Sequence, residues 1–516
     1  MTTEKNSSNS NSNSNTTNAP EPPETTKTEF PMQRLSNTTL EHLPHAIQRP
    51  AYDRAAATIG IVHLGVGAFH RAHQAVYVDD MLAHDPHWAI CGVSLNSRDV
   101  RDALAPQDGL YTLALLGEQP RLRVIGALRE VLAAREQGAL VLDRLADPGV
   151  RLVTLTITEK GYCLSGNELD FGHPDIAHDL IYPDTPVSAI GYLVEGLRRR
   201  KAQRLPPYTV LSCDNLPDNG GKLRRAVVAF AQRLDRDLAC WIAENGAFPR
   251  SMVDSITPAT DEPVRARVAA ELGCTDAWPV QREAYTQWVV EDAFCNGRPP
   301  LERAGVTMSN EIAGYDKAKL RLLNAPHSAL AYLGSLMGIE TVAQAMATPV
   351  LAGFVERLMR EAIAPNVAAP RGFDAQRYAG DILARFRNPA IQHKLAQIAW
   401  DGSQKIPVRL LGTIADALEA GRPIDRLCLP VAGWLRFVRR QANAGVALVD
   451  PMNEALSAVG LATNGDAVHD VAAFLQLDAV FASLSEDARF VEGLCAAYAA
   501  LGDGSPDAVA RALADA

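Results

Sequence analysis

Apolar and polar positions change rhythm once along this chain. Up to about residue 310, short apolar or branched runs alternate with helix-length segments. The first run, Ile59–Gly67 (IGIVHLGVG), ends in glycines and leads into a helical pattern over 71–82. Trp88–Leu95 reads as the next strand. Arg151–Thr158 (RLVTLTIT) alternates and is rich in branched residues, and Tyr208–Ser212 predicts another strand before a helix over 222–244. From about residue 311 the spacing is helical almost throughout: Phe354, Val355, Leu358 and Met359 recur on one face, as do Tyr378, Ile382, Leu383 and Phe386. Stripes of this kind are core-forming. No internal repeat of fixed period is present. The pattern predicts an α/β domain over 51–310 and an all-helical domain over 311–516.

Composition narrows the class. Hydrophobic residues make up 47% of the 516 and charged residues 21%, as in ordinary globular proteins with room for two or three domains. A formal net charge of −10 supplies no basic field for nucleic acid. The eight cysteines are dispersed with no CxxC pair, which suits a reducing cytoplasm better than a disulfide scaffold or zinc ribbon. No run is long and apolar enough to span a membrane, and the N-terminus lacks the apolar stretch of a secretory signal. Residues 1–50 are expected to form a disordered or extended tail, low in complexity and polar over the first 30 or so.

Strand, glycine turn and helix at Ile59–Leu82 are the opening of a Rossmann-type dinucleotide-binding unit, in which glycines let backbone approach a pyrophosphate at a helix N-terminus. The third glycine of GxGxxG is replaced by His70, and a tight strand-to-helix turn fits the same two glycines. His63, His70 and His73 have no neighbouring Cys or carboxylate cluster, so no metal is expected. At the end of the Trp88–Leu95 strand, Asn96-Ser97-Arg98-Asp99 holds both an acid suited to a ribose hydroxyl and an Arg suited to a 2′-phosphate.

Candidate chemistry concentrates in Tyr315–Gly334 (YDKAKLRLLNAPHSALAYLG), where Lys319, Asn324 and His327 stand among leucines and alanines. Oxidising an alcohol needs a base for the hydroxyl proton and donors that hold the oxygen as charge develops. A buried lysine with a lowered pKa serves as the base, and Asn and His supply donors. At about 100° per residue, Asn324 and His327 fall roughly 60° apart, His327 about 80° from Lys319, and Lys319 about 140° from Asn324. Pro326 predicts a break or kink near Asn324–Pro326 that splays the trio around a cavity. A kinked core helix with a solvent-reaching Lys and a packed His fits the same pattern.

The K-x4-N-x2-H spacing, together with GVGAFHRAHQAVY, TEKGYC, CDN, MVDSITP, WVVEDAFCNGRP and IAWDGSQKIPVR, resembles the polyol-specific long-chain dehydrogenase/reductase (mannitol dehydrogenase) family from about residue 58 to the C-terminal helices. The resemblance implies NAD as cofactor and a small-molecule sugar substrate, with no nucleic-acid or membrane partner. It implies that Gly65, Gly67, Ala68, Phe69, His70 and Arg71 meet the cofactor, and that Asp254 lies at its edge of the site. Lys319 is implied as the general acid/base, Asn215 and Asn324 as the oxyanion pair, His327 as an orienting group, and Lys160 and Lys405 as substrate contacts. Gln397 stands where mannitol-type members tend to carry Arg, and the strings lie closer to members that interconvert D-fructuronate and D-mannonate. Mannitol or another polyol remains the alternative substrate, and a non-catalytic NAD-binding sensor the alternative role. Ser255 for Arg and Ala325-Pro326 for Gly-Ser depart from the family pattern.

Overall fold

The computed structural model describes residues 32–117 and 120–516. Five parallel strands form the first domain's main sheet: β1 (Ile59–Leu64), β2 (Ala89–Ser94), β3 (Leu128–Ala133), β4 (Leu152–Leu155) and β5 (Thr209–Ser212), in the order β3-β2-β1-β4-β5. β1 pairs with β2 on one side and β4 on the other, with Leu64 opposite both Val93 and Leu155. All four β4 residues and all but the first of β1 are buried, which is why these runs read as near-continuous apolar segments. The order reverses at β1/β4, the switch point where open α/β sheets leave a crevice beyond the strand ends.

The predicted helix over 71–82 is two short ones, α1 (Ala68–Ala72) and α2 (Gln74–Met81), broken at His73 by a non-helical backbone. The helix predicted over 222–244 is likewise divided, into Asn219–Leu234 and Arg236–Asn245 with Asp235 between. The strand expected over 151–158 stops at Leu155, and the residues after it form the loop that carries the TEKGYC string. Residues 100–145 carry no family string, yet they supply β3 and two further strands, Tyr111–Leu116 and Arg121–Ile125. These join Val280–Glu283 in a second, three-stranded sheet.

The tail assignment over 1–50 needs correction in its second half; residues 1–31 lie outside the described residues. Leu35, Leu43 and Ile47 are buried against Leu110, Val124 and Leu272. Arg34 bridges to Thr275 and Gln48 to Arg123, so this segment is stitched to the second sheet. Its three buried apolar residues and these backbone bridges tie down a stretch that composition alone classed with the tail.

The second domain is helical from Ile312 onward and shares one large core, in which Ala325–Leu336 and Asp425–Asn443 pack together. Among the described residues no single helix is long and apolar enough to cross a membrane.

Candidate active site

Lys319 ends helix α3 (Ile312–Lys319), and α4 (Ala325–Leu336) continues from it without interruption. Of the break or kink expected at Asn324–Pro326, the break is absent. Leu320–Asn324 form a widened π turn instead, with the Ala325 N–H donating to Leu320 O. Widening draws the preceding carbonyls away from the Pro326 ring, so the helix continues past a residue that would otherwise stop it. It also changes the geometry of the trio. A π turn brings residues five apart, such as Lys319 and Asn324, closer to one face than ideal α geometry does.

The Lys319 ammonium is buried and crosses into the first domain. It donates to Oδ1 of Asn215 at 2.9 Å and to the Val253 carbonyl at 2.6 Å. Burial lowers its pKa below the usual 10.5, while Asp254 and Asp316 act in the opposite direction. Asp316, one turn earlier, is pushed up to about 6 by its own burial.

Asn215 is held at the loop beyond β5 by the residue before it. Asp214 accepts from the N–H groups of Ile157 and Thr158, each at 3.0 Å, and from the Tyr162 hydroxyl at 2.7 Å. The CDN and TEKGYC strings are therefore joined in one structure at the carboxyl ends of β4 and β5. Lys160 lies exposed on the turn Glu159–Tyr162 of that structure.

Asn324 is braced from behind: Arg409 Nη1 donates to Ser328 Oγ at 3.1 Å and to Asn324 O at 3.4 Å. His327 packs against Phe386 with ring centroids 4.4 Å apart and edge-on to His393 at 5.4 Å. Its Nε2 is buried with no partner among the described residues, and burial first, then His393, Arg385 and Arg409, hold its pKa well below 6.5. His327 is therefore neutral. Lys405 sits one turn before Arg409, 3.7 Å from Asp401, with its pKa lowered by burial and by Arg409.

At the other end of the Lys319 contacts, Asp254 is gripped by Arg385, at 2.7 and 3.1 Å, and the same guanidinium takes Glu283 at 2.7 and 2.9 Å. All three side chains are buried, and Arg385 lies 4.2 Å over the Tyr285 ring. Burial alone would lower the Arg385 pKa, but the two carboxylates reverse this and raise it. Asp254 thus joins the two domains beside Val253. Asp316 and Arg409 fall inside strings singled out in the sequence but without a role of their own, and Arg385 and Glu283 carry no signal there. Only three-dimensional proximity to Lys319, Asp254 or Asn324 singles each of them out.

The glycine turn lies at the switch point. Gly65 has φ +95° and packs so closely that a Cβ there would come 2.1 Å from the Thr156 carbonyl. Gly67 caps α1 with no side-chain bond, and a Cβ there would meet nothing nearer than 3.8 Å. The unpaired first-turn N–H groups of Ala68, Phe69 and His70 behind an open glycine fit a pyrophosphate. The side chains of His70 and Arg71 lie inside the protein. His70 stacks on His63 at 3.4 Å, and Arg71 donates to the Trp278 carbonyl at 2.6 Å. Any part they take at a phosphate would run through backbone. Arg98 is matched by acids, Asp102 at 3.3 Å and Glu136 at 3.4 Å.

The three N-terminal histidines form no ligand set: His63 bonds Thr154 and Thr156, and His73 bonds the Gln287 carbonyl at 3.0 Å. Burial pushes both of these rings down to about 3. Among the described residues one group has metal-ligating atoms within 4.8 Å of one another, Cys163, His173 and Asp175. There the His173 ring nitrogen already accepts the Asp175 N–H as a helix cap.

Both domains match known proteins. Residues 59–303 match the mannitol dehydrogenase Rossmann domain and 311–502 the mannitol dehydrogenase C-terminal domain. The chain is 41% identical over 473 residues to the D-mannonate oxidoreductase of Escherichia coli, covering 89% of this chain and 97% of that protein. It is 40% identical over 474 residues to a mannitol 2-dehydrogenase of Phaeosphaeria nodorum, covering 89% and 82%. A substrate-free D-sorbitol dehydrogenase superposes with a TM-score of 0.86 at 34% identity, over 92% of this chain and all of that one. The Pseudomonas fluorescens mannitol 2-dehydrogenase, solved as a ternary complex with NAD and D-mannitol, superposes with a TM-score of 0.75 at 37% identity, over 93% and 99%. With both of its domains matched in order and a buried lysine held between them, the chain belongs to the mannitol dehydrogenase family of oxidoreductases.

Proposed function

We propose that this protein is an NAD(H)-dependent secondary-alcohol dehydrogenase that interconverts D-fructuronate and D-mannonate. The carrying observation is the Lys319 ammonium, buried between the domains and bonded to Asn215 and Val253. Two of its three protons are taken, which leaves one for a substrate oxygen. Because Asn215 Oδ1 accepts from Lys319, its amide N–H groups are the part left to donate to that same oxygen.

In reduction the protonated Lys319 delivers its third proton to the keto oxygen, while Asn215 and Asn324 hold that oxygen as it gains charge. In oxidation the neutral amine takes the hydroxyl proton. The neutral His327 ring orients the substrate from the same helix. NAD(H), when bound, supplies or accepts the hydride. Ala68, Phe69 and His70 would hold its pyrophosphate through backbone N–H groups behind Gly65 and Gly67. The acids that occupy Arg98 favour NADH over NADPH, since a 2′-phosphate would be repelled by Asp102 and Glu136.

The hexuronate reading is supported by the relative named D-mannonate oxidoreductase and by the cation Arg409 beside Asn324. A neutral polyol is the second reading, favoured by the relatives named mannitol 2-dehydrogenase at about the same identity. Steady-state rates with D-fructuronate, fructose, mannitol and arabinitol separate the two. D-Fructuronate with NADH should exceed fructose in kcat/KM by about tenfold or more, the scale of one charge-assisted contact. Comparable values for the two would reject the hexuronate assignment.

A further inference from the structure

Thr158 holds a backbone conformation that side chains normally exclude. Its φ of +62° and ψ of 165° fall in a region occupied almost solely by glycine. It is the one β-branched residue with positive φ among the described residues, and branching at Cβ makes that conformation costlier still. The cause lies in what the loop must do. The N–H groups of Ile157 and Thr158 both donate to the Asp214 carboxylate, each at 3.0 Å, and the chain then turns at once into Glu159–Tyr162. Backbone geometry alone therefore calls for glycine at 158. Strain of this kind persists where the residue serves a ligand. Inside the protein the side chain serves nothing: Thr158 is exposed, and its hydroxyl does not cap the turn that it opens.

Its position indicates which ligand. Two residues earlier, Thr156 Oγ1 donates to the Gly65 carbonyl at 2.8 Å, so the end of β4 touches the glycine turn. On the other side, Asp214 directly precedes Asn215, whose Oδ1 accepts from Lys319. Thr158 thus stands between the turn that fits a pyrophosphate and the lysine proposed to serve the reacting oxygen, beyond the strand ends at the switch point of the sheet. In NAD(H) the group between the pyrophosphate and the nicotinamide is a ribose.

We infer that the Thr158 hydroxyl binds the ribose next to the nicotinamide of NAD(H), and that this contact is what keeps a threonine where the backbone calls for glycine. The inference rests on the NAD(H) reading and is independent of which sugar is turned over. A hydroxyl suits a ribose, since each can donate to and accept from the other. The three bonds that Asp214 receives from Ile157, Thr158 and Tyr162 hold the loop in place before the cofactor arrives, so little ordering is needed on binding.

The test measures NADH affinity by fluorescence titration without sugar, and melting temperature without cofactor, on the full chain. Thr158→Ala and Thr158→Gly both remove the hydroxyl, whereas only glycine also removes the strain. Both should weaken NADH binding about 3- to 10-fold, the size of one neutral hydrogen bond, and Thr158→Ser should stay close to wild type. ADP, which ends at the pyrophosphate, should bind wild type and variants alike. Thr158→Gly should melt above Thr158→Ala, the reverse of the usual order for these two residues. Unchanged NADH affinity in both variants, a loss in Thr158→Gly alone, or a parallel loss of ADP affinity would overturn the ribose contact while the NAD(H) reading stands. A Thr158→Gly protein that melts below Thr158→Ala would overturn the strained conformation from which the inference starts. Wild type that fails to bind NADH would remove the cofactor reading as well.

Discussion

Nζ of Lys319 and Oδ1 of Asn215 lie 2.9 Å apart, although 104 residues separate them and they belong to different domains. The proposed base therefore acquires these partners only when the helical domain meets the sheet. Its pKa reflects both sides of that junction: burial lowers it, and Asp254 of the first domain and Asp316 of the second raise it.

Replacing Lys319 by Ala should abolish chemistry and spare cofactor binding, because the glycine turn lies in the other domain. The expected loss in kcat is about 10² to 10⁴, with NADH affinity by fluorescence titration close to wild type. Oxidation uses the neutral amine, so its rate should rise with pH and level off above the lowered Lys319 pKa. Reduction uses the ammonium and should fall through the same pKa. Near-normal kcat with an unchanged pH profile in Lys319→Ala would transfer the role elsewhere.

Asp316→Asn tests the electrostatics of the same lysine. The Asp316 charge favours the ammonium, so removing it should lower the Lys319 pKa and move the rise in D-mannonate oxidation to lower pH. Below about pH 6 Asp316 is itself protonated, and the variant and wild-type profiles should converge there. A shift to higher pH in the variant would contradict the assignment.

Arg385→Ala should be the most destabilising of these changes. It leaves Asp254 and Glu283 buried without their counter-ion, a defect that typically costs about 3–5 kcal/mol and would show as a lower urea midpoint. Adding Asp254→Asn and Glu283→Gln to the same variant should restore part of the stability. If the triple variant is no more stable than Arg385→Ala, the loss lies in packing and not in the stranded charges.

The two glycines should respond differently to Ala. Gly65→Ala forces a Cβ to 2.1 Å from the Thr156 carbonyl at φ +95°, so it should lose well over the roughly 1 kcal/mol of the left-handed penalty alone. Gly67→Ala meets no protein atom nearer than 3.8 Å and should melt like wild type while binding NADH more weakly. Full NADH affinity in Gly67→Ala would show that the cofactor does not approach there.

By itself the sequence determined what depends on near neighbours along the chain. The apolar run ending at Gly65 and Gly67, the strands near 89–94 and 209–212, the change to helical spacing at 311, and the Lys319–Asn324–His327 series all express local periodicity or local backbone need. Tertiary structure decided the rest. The π turn at Leu320–Asn324 arises where Pro326 is carried inside a packed helix, and it undoes the angles expected of ideal α geometry. The packing of Leu35, Leu43 and Ile47 depends on partners such as Val124 and Leu272, far along the chain. Arg385 reads as one more charge on an amphipathic helix until the fold sets it between Asp254 and Glu283. Periodicity records which face a residue occupies, whereas burial, pKa and pairing depend on what the rest of the chain brings against that face.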